Sequence, residues 1–245
     1  SIGVGVAGHI GGSNSSADIV AALYFHKMRH DPKHPEWRER DRFLLSKGHV
    51  GILQYAALAE SGYFPVEDLK HTKEIGSYLQ GHPDVQKTPG IEAGTGSLGQ
   101  GLSIGLGMAL GLRLDRLDSR TYVLVGDGEI AEGQIWEAAM AASAFKADNL
   151  VAIVDRNRLQ ISGNTVDVMG HDSQEERWAS FGWNVISING NSMQELCDAW
   201  EAARACKGKP SVVIANTVKG CGSAVMENKA QWHHKVPGTE EYRQI

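Results

Sequence analysis

The chain has 245 residues, 42% hydrophobic and 22% charged, an ordinary composition for a globular protein with a sizeable core, which argues against intrinsic disorder. Its formal charge of -5, with Lys and Arg scattered along the chain, speaks against a nucleic-acid or anionic-membrane binder, because such a surface attracts neither. Cys197, Cys206 and Cys221 have no paired spacing, and with no secretory signal in view they read as packing residues in a reducing, cytoplasmic compartment.

In chain order, residues 12–28 carry the apolar periodicity of a helix, with Ile19, Val20, Leu23 and Tyr24 on one face and Asn14 or Ser15 as its cap. "RFLLSKGH" reads as a short strand running into a loop, and a second helix is expected over 50–61. A polar segment punctuated by Pro and Gly, "QGHPDVQKTPG", precedes a buried helix over 99–112, whose run "GLSIGLGMALGL" is too short to span a bilayer. From Thr121 the pattern becomes regular: strand "TYVLV", a helix over 134–145, strand "LVAIV", a long loop, strand "WNVISI", a helix over 192–205 and strand "SVVIA". In the last helix Ser192 and Glu195 have capping-box spacing, and Met193, Leu196, Cys197 and Trp200 form one apolar stripe. Continuously apolar strands alternating with helices require a mainly parallel sheet covered on both faces, hence a three-layer α/β/α fold, read here as a single domain over 1–245. Ligands of such sheets gather at the carboxyl ends of the strands.

Two polar residues stand at such ends. Asp127, in "GDGEIAEG", follows "TYVLV", and Asn157, in "DRNRLQISG", follows "LVAIV". A carboxylate and an amide oxygen are hard ligands suited to Mg²⁺ or Ca²⁺ and poorly suited to zinc, and one carboxylate leaves a divalent ion positive enough to want phosphate oxygens as well. The flanking glycines allow close backbone approach, and a helix beginning near Gly133 points its N-terminal dipole at the place. Taken singly, "GDG" is also an ordinary turn and Asn an ordinary loop residue.

The spacing from "GDG" to that Asn resembles the thiamine diphosphate signature. With "GHIGG", "LSKGH", "QGHPD", "GTGSLGQG", "TVKGCG" and "WHH" in order along nearly the whole chain, the sequence resembles the N-terminal, thiamine diphosphate-binding part of transketolases. The resemblance implies the diphosphate-binding type of that fold, with the metal (Mg²⁺, or Ca²⁺ or Mn²⁺) held by Asp127, the Asn157 side chain and the Leu159 carbonyl. It implies further that His49 and His233, with Lys47 and Lys219, reach the diphosphate; a lysine before a glycine at a strand end can set its ammonium on a phosphate. His9 and His82, with His233, are implied in the substrate channel and in proton transfers, work for which imidazole has a suitable pKa. Gly96, Ser97 and Leu98 are placed against the cofactor in a loop that also makes an intersubunit contact. Gly126, Gly128 and Glu129 lie beside Asp127, and Glu132 belongs to a network linking the two cofactor sites of a dimer. His26, His30, His34 and His71 lie in helical or charged surroundings and read as structural or surface residues.

"GTGSLG" satisfies G-x-G-x-x-G literally, but "KTPGIEA" before it is no buried strand, so a dinucleotide site and an NAD-dependent dehydrogenase are set aside. A non-catalytic scaffold is also disfavoured, since Asp127, Asn157 and the loop histidines are all present. In the transketolases, the glutamate that acts on the aminopyrimidine ring belongs to a second, pyrimidine-binding domain, for which this chain has no room. The expectation is therefore one subunit of a split transketolase, completed by a C-terminal, pyrimidine-binding partner chain in an α₂β₂ assembly. It would move a two-carbon ketol unit from a ketose phosphate or sulfonate to an aldose, with a deoxyxylulose-phosphate-synthase-like enzyme as the alternative. "WHH" departs from the family's commoner "WHG", so His234 adds an imidazole that either alters the substrate mouth or points outward.

Overall fold

The computed structural model describes residues 8–170 and 173–245. In chain order the strands are β1 (Arg42–Leu45), β2 (Thr121–Gly126), β3 (Leu150–Arg156), the short pair β4 (Leu159–Gln160) and β5 (Gly163–Asn164), then β6 (Asn184–Asn189) and β7 (Ser211–Asn216). The helices are α1 (Ile10–Ser15), α2 (Ala17–Ala22), α3 (Gly51–Ser61), α4 (Gln100–Leu114), α5 (Gly133–Ala144), α6 (Thr165–Met169), α7 (Gln174–Ser180), α8 (Met193–Ala205) and α9 (Thr239–Gln244). The five longer strands lie in the order β1-β2-β3-β7-β6 with every pairing parallel, and β4 and β5 make a separate antiparallel hairpin.

Successive side chains on a strand point to opposite faces, and here both faces are dry. Phe43, Tyr122, Ile153 and Val213 pack under α2, α3 and α8. Leu44, Val123, Val154 and Ile214 pack under α4, α5 and α7. The three-layer α/β/α arrangement expected from the sequence is therefore the arrangement found. No described helix is long and apolar enough to cross a membrane.

Three local expectations are corrected. The helix expected over 12–28 starts earlier, at Ile10, and breaks at Ser16 (φ -98°, ψ 0°). Its last turn, Leu23–Lys27, then widens to a π turn in which the Met28 N–H donates to the Leu23 carbonyl at 2.8 Å. The break lets Ser15 and Ser16 both donate hydroxyls to Asp155, at 2.7 and 2.9 Å, a tertiary pull that helical periodicity does not encode. Neither Asn14 nor Ser15 caps the helix; the cap position is His9, and Asn14 donates to the Cys221 carbonyl at 3.3 Å.

In α8, Leu196 and Trp200 are buried as expected, but Ala199 and Ala203 complete the face, and Met193 is left 45% exposed. Ser192 caps the Glu195 N–H at 3.4 Å, yet the Glu195 carboxylate accepts from the Asn189 N–H at 2.8 Å, so the capping box is only half formed. The segment expected as one long loop after β3 holds the β4–β5 hairpin, α6 and α7. Those elements are too short for periodicity to register, and α6 owes its start to Asn164, whose side chain accepts from the Val166 N–H at 2.9 Å.

Candidate active site

Four neighbouring strands deliver polar side chains to one rim. Asp127 and Asn157 follow β2 and β3 directly, while Lys47 and Lys219 stand shortly beyond β1 and β7, so the strand order sets them in the row Lys47, Asp127, Asn157, Lys219. All four line one cavity of about 460 Å³. The parallel register pairs Gly126 with Asp155, and the Asp127 N–H donates to the Asp155 carbonyl at 3.2 Å. The Asp127 carboxylate accepts from the Gly128 N–H at 2.9 Å and the Arg158 N–H at 2.6 Å, next in chain to Asn157. The Asn157 amide oxygen accepts from the Leu159 N–H at 3.1 Å, and the Leu159 carbonyl accepts from the Lys219 ammonium at 3.0 Å.

The electrostatics of this row are unbalanced. Burial, with the nearby Asp155 carboxylate, pushes the Asp127 carboxyl up to about 6. Burial, with the Lys47 charge, pulls the Lys219 ammonium down to about 8. A cation at Asp127 would restore its charge, and an anion at Lys219 would do the same there. The oxygens on offer are one carboxylate, one amide and one backbone carbonyl, a hard donor set that fits a Mg²⁺-class ion still needing oxygens from a diphosphate. Among the described residues no group of three His, Cys, Asp or Glu stands ready for a metal, so zinc-type coordination is not built here.

Three histidines crowd the same cavity. The ring centroids of His9 and His49 are 4.9 Å apart, His9 and His233 5.4 Å, and His49 and His233 5.2 Å. His233 is held because Trp232 beside it is buried, with its indole N–H on the Val225 carbonyl at 3.1 Å and Lys235 over its ring. Burial lowers all three imidazoles: His9 to about 4, helped by His234; His49 to about 2, helped by Lys47; and His233 to about 3, helped by Lys219. They are neutral at pH 7, able to accept or donate one hydrogen bond at each end. The His9 Nδ1 is buried without a hydrogen-bond partner. His82 is exposed and lines the cavity beside Gly96, with Leu98 also on its lining. His234, which the sequence left undecided, stands 4.6 Å from the His9 ring and lines an outer cavity that shares His9, Ile161 and His233 with the inner one.

The loop over 94–99 reaches the cavity through two glycines. A Cβ on Gly48 would lie 1.8 Å from the Thr95 carbonyl oxygen, so only glycine lets that loop cross the "SKGH" turn. Gly99 has φ +86°, and a Cβ there would meet the Glu132 Cβ at 2.8 Å. No strand precedes this loop after β1, so its glycines are not those of a βαβ dinucleotide turn. Gly126, Gly128 and Glu129 line the cavity, but the buried Glu129 carboxylate is occupied by the Gly99 and Gly126 N–H groups, both at 2.9 Å, and by the Ser46 hydroxyl. It staples the two glycine loops together. Ser97 is exposed and Glu132 sits behind Gly99 at the start of α5; neither lines the cavity.

Sequence reasoning missed Gln160 and Ser162 on the cavity wall, although both lie within the quoted block "DRNRLQISG". It also missed Asp155, a wholly buried carboxylate near the end of β3, just after the apolar run "LVAIV". Burial favours its neutral form, but its ion pair with Lys47 and several hydroxyl donors hold it down at about 2.

The family profile described as "Transketolase, thiamine diphosphate binding domain" matches residues 2–245. One subunit of an apulose-4-phosphate transketolase from Phocaeicola vulgatus is 48% identical over 97% of this chain and 84% of its own length. A 6-deoxy-6-sulfo-D-fructose transketolase subunit of Clostridium sp. strain MSTE9 is 47% identical over 96% of this chain and 85% of its own. Among solved structures, the transketolase of Pichia stipitis in complex with sedoheptulose-7-phosphate superposes with a TM-score of 0.86 at 31% identity, covering 96% of this chain and 39% of that one.

Proposed function

The chain belongs to the transketolase family, matching its thiamine diphosphate-binding domain, and from that premise we propose that it is the cofactor-binding subunit of a split transketolase. The observation that carries this reading is the rim itself: Asp127 and Asn157 at adjacent strand ends, on one cavity, flanked by Lys47 and Lys219. Asp127, the Asn157 amide oxygen and the Leu159 carbonyl would hold Mg²⁺, or Ca²⁺ or Mn²⁺ in its place, with Lys219 leaving that carbonyl for the diphosphate. Lys47, His49 and His233 would face the same diphosphate, and Gly126 and Gly128 would admit it to the backbone. Thiamine diphosphate, when bound, supplies the nucleophilic carbon and the electron sink that breaking a ketose C–C bond requires.

His9, His82 and His233 would then handle protons of the sugar, a task suited to imidazole side chains. Gly96 and Leu98 would border the cofactor, Glu129 would hold that loop in place, and Glu132 would connect the site with its copy across a dimer. One domain over 1–245 would provide this half of the site, and a C-terminal, pyrimidine-binding chain would provide the other in an α₂β₂ assembly. The reaction would be transfer of a two-carbon ketol unit from a ketose phosphate or sulfonate to an aldose. The relatives just named are transketolases, which turns the reading away from a deoxyxylulose-phosphate-synthase-like enzyme. The three thiols are free, as a cytoplasmic setting would have them.

The test is reconstitution. With its partner chain, thiamine diphosphate and Mg²⁺, the protein should transfer two-carbon units between sugar phosphates, and each chain alone should not. Turnover by this chain alone would remove the split arrangement, and absence of metal-dependent cofactor binding would remove the cofactor.

A further inference from the structure

Asp155 lies near the end of β3, wholly buried, and nothing in the reading above uses it. Five side chains from four stretches of chain converge on its carboxylate. Ser15 and Ser16 donate hydroxyls at 2.7 and 2.9 Å, the Asn157 amide nitrogen donates at 3.1 Å, and the Lys47 ammonium and Thr217 hydroxyl donate in direct contact. Lys47 alone would neutralise the carboxylate; the other donors bring neighbouring loops into a shared position.

Among them Asn157 is the informative one. A primary amide has a donor end and an acceptor end of nearly the same shape, and only its partners decide which end faces where. Its nitrogen is held on the side of Asp155, and also on Ser15 Oγ at 3.3 Å, and its oxygen lies with the Leu159 N–H on the cavity wall. The opposite orientation would turn the amide oxygen onto the Asp155 carboxylate and offer N–H groups to a cation. We propose that Asp155 is a positioning residue for the divalent-cation site, fixing the Asn157 amide with its oxygen available to the metal. This rests on the cofactor reading and goes one layer deeper, to the residue that gives one of its ligands the correct end.

The test is Mn²⁺ titration of the full chain at saturating thiamine diphosphate, followed by the electron paramagnetic resonance of the free ion. Asp155→Ala should weaken Mn²⁺ binding by about tenfold to a hundredfold, the usual effect of removing an outer-shell partner. Thr217→Val removes a donor from the other carboxylate oxygen without touching Asn157; it should lower the melting temperature yet leave Mn²⁺ affinity as in the wild type. Where Asp155→Ala does not fold, Ser15→Ala, which removes the second acceptor of the same amide nitrogen, should still weaken Mn²⁺ severalfold. Wild-type affinity in a folded Asp155→Ala or Ser15→Ala protein would overturn the positioning role alone. A wild-type chain that binds no Mn²⁺ with the cofactor would overturn the cofactor reading beneath it.

Discussion

In the presence of a chelator, Asp127→Asn should melt later than the wild type at neutral pH. Burial and the neighbouring Asp155 carboxylate raise the Asp127 carboxyl from the ordinary 3.8 to about 6. At about 1.4 kcal/mol per pH unit, keeping this group ionised inside the metal-free fold at pH 7 costs ~3 kcal/mol. The folded protein holds this proton more tightly than the unfolded chain does. The penalty is therefore absent below pH 3.8 and grows as pH rises until it is complete above about 6. Asparagine keeps one acceptor for the Gly128 and Arg158 N–H groups and loses the other, a loss of about 1 kcal/mol. The net gain is ~2 kcal/mol at pH 7, or roughly 4–8 °C in melting temperature for a chain of this size. Thermal melts of both proteins in EDTA from pH 3.5 to 8 measure it, and the advantage should disappear on the acid side. Adding Mg²⁺ and thiamine diphosphate should reverse the order, because only the wild type gains. An asparagine variant that is less stable in EDTA at pH 7, or that gains as much from Mg²⁺ and cofactor, would show that the Asp127 charge neither burdens the metal-free fold nor holds the metal.

Lys47→Met should cost about 3–5 kcal/mol in urea unfolding, since it leaves the buried Asp155 carboxylate without its cation; a loss below about 1 kcal/mol would show that the pair is not what balances that charge. The depressed imidazoles of His9, His49 and His233 stay neutral in the fold while the unfolded chain takes up protons near 6.5. In the Asp127→Asn background, stability should accordingly be full above pH 6.5 and fall as pH drops towards 4, and a flat profile over that window would contradict the crowding. His234→Gly removes a ring 4.6 Å from His9 at the cavity mouth, so with the partner chain present it should change the donor sugar KM by roughly tenfold at unchanged cofactor affinity. Equal KM values for a series of ketoses would place His234 outside the substrate path.

The layers and the rim were legible because both follow from short-range pattern. Apolar strands spaced by helices dictate a parallel sheet, and a polar residue directly after such a strand lands on its carboxyl edge, as Asp127 and Asn157 do. The break at Ser16 was not legible, because its cause is a carboxylate 139 residues away in sequence. Asp155 itself was hidden for the same reason: one acid at the end of an apolar run says nothing of five donors scattered from Ser15 to Thr217. Glu129 stands between these cases. Its place in "GDGE" marked it as part of the site, but only the fold shows its oxygens already taken by Gly99, Gly126 and Ser46. The stripe on α8 shows the limit of periodicity, since a face can be completed by small residues such as Ala199 and Ala203 while a larger one, Met193, faces water.

Two adjacent strand ends should grip one divalent ion that tethers a diphosphate. Crystals grown with thiamine diphosphate and Mn²⁺, measured for anomalous scattering, test it directly. A single strong peak is expected within coordination distance of the Asp127 carboxylate, the Asn157 amide oxygen and the Leu159 carbonyl, with the diphosphate completing the shell towards Lys219. Cofactor density without a metal peak there, or a peak bound by other residues, would contradict it.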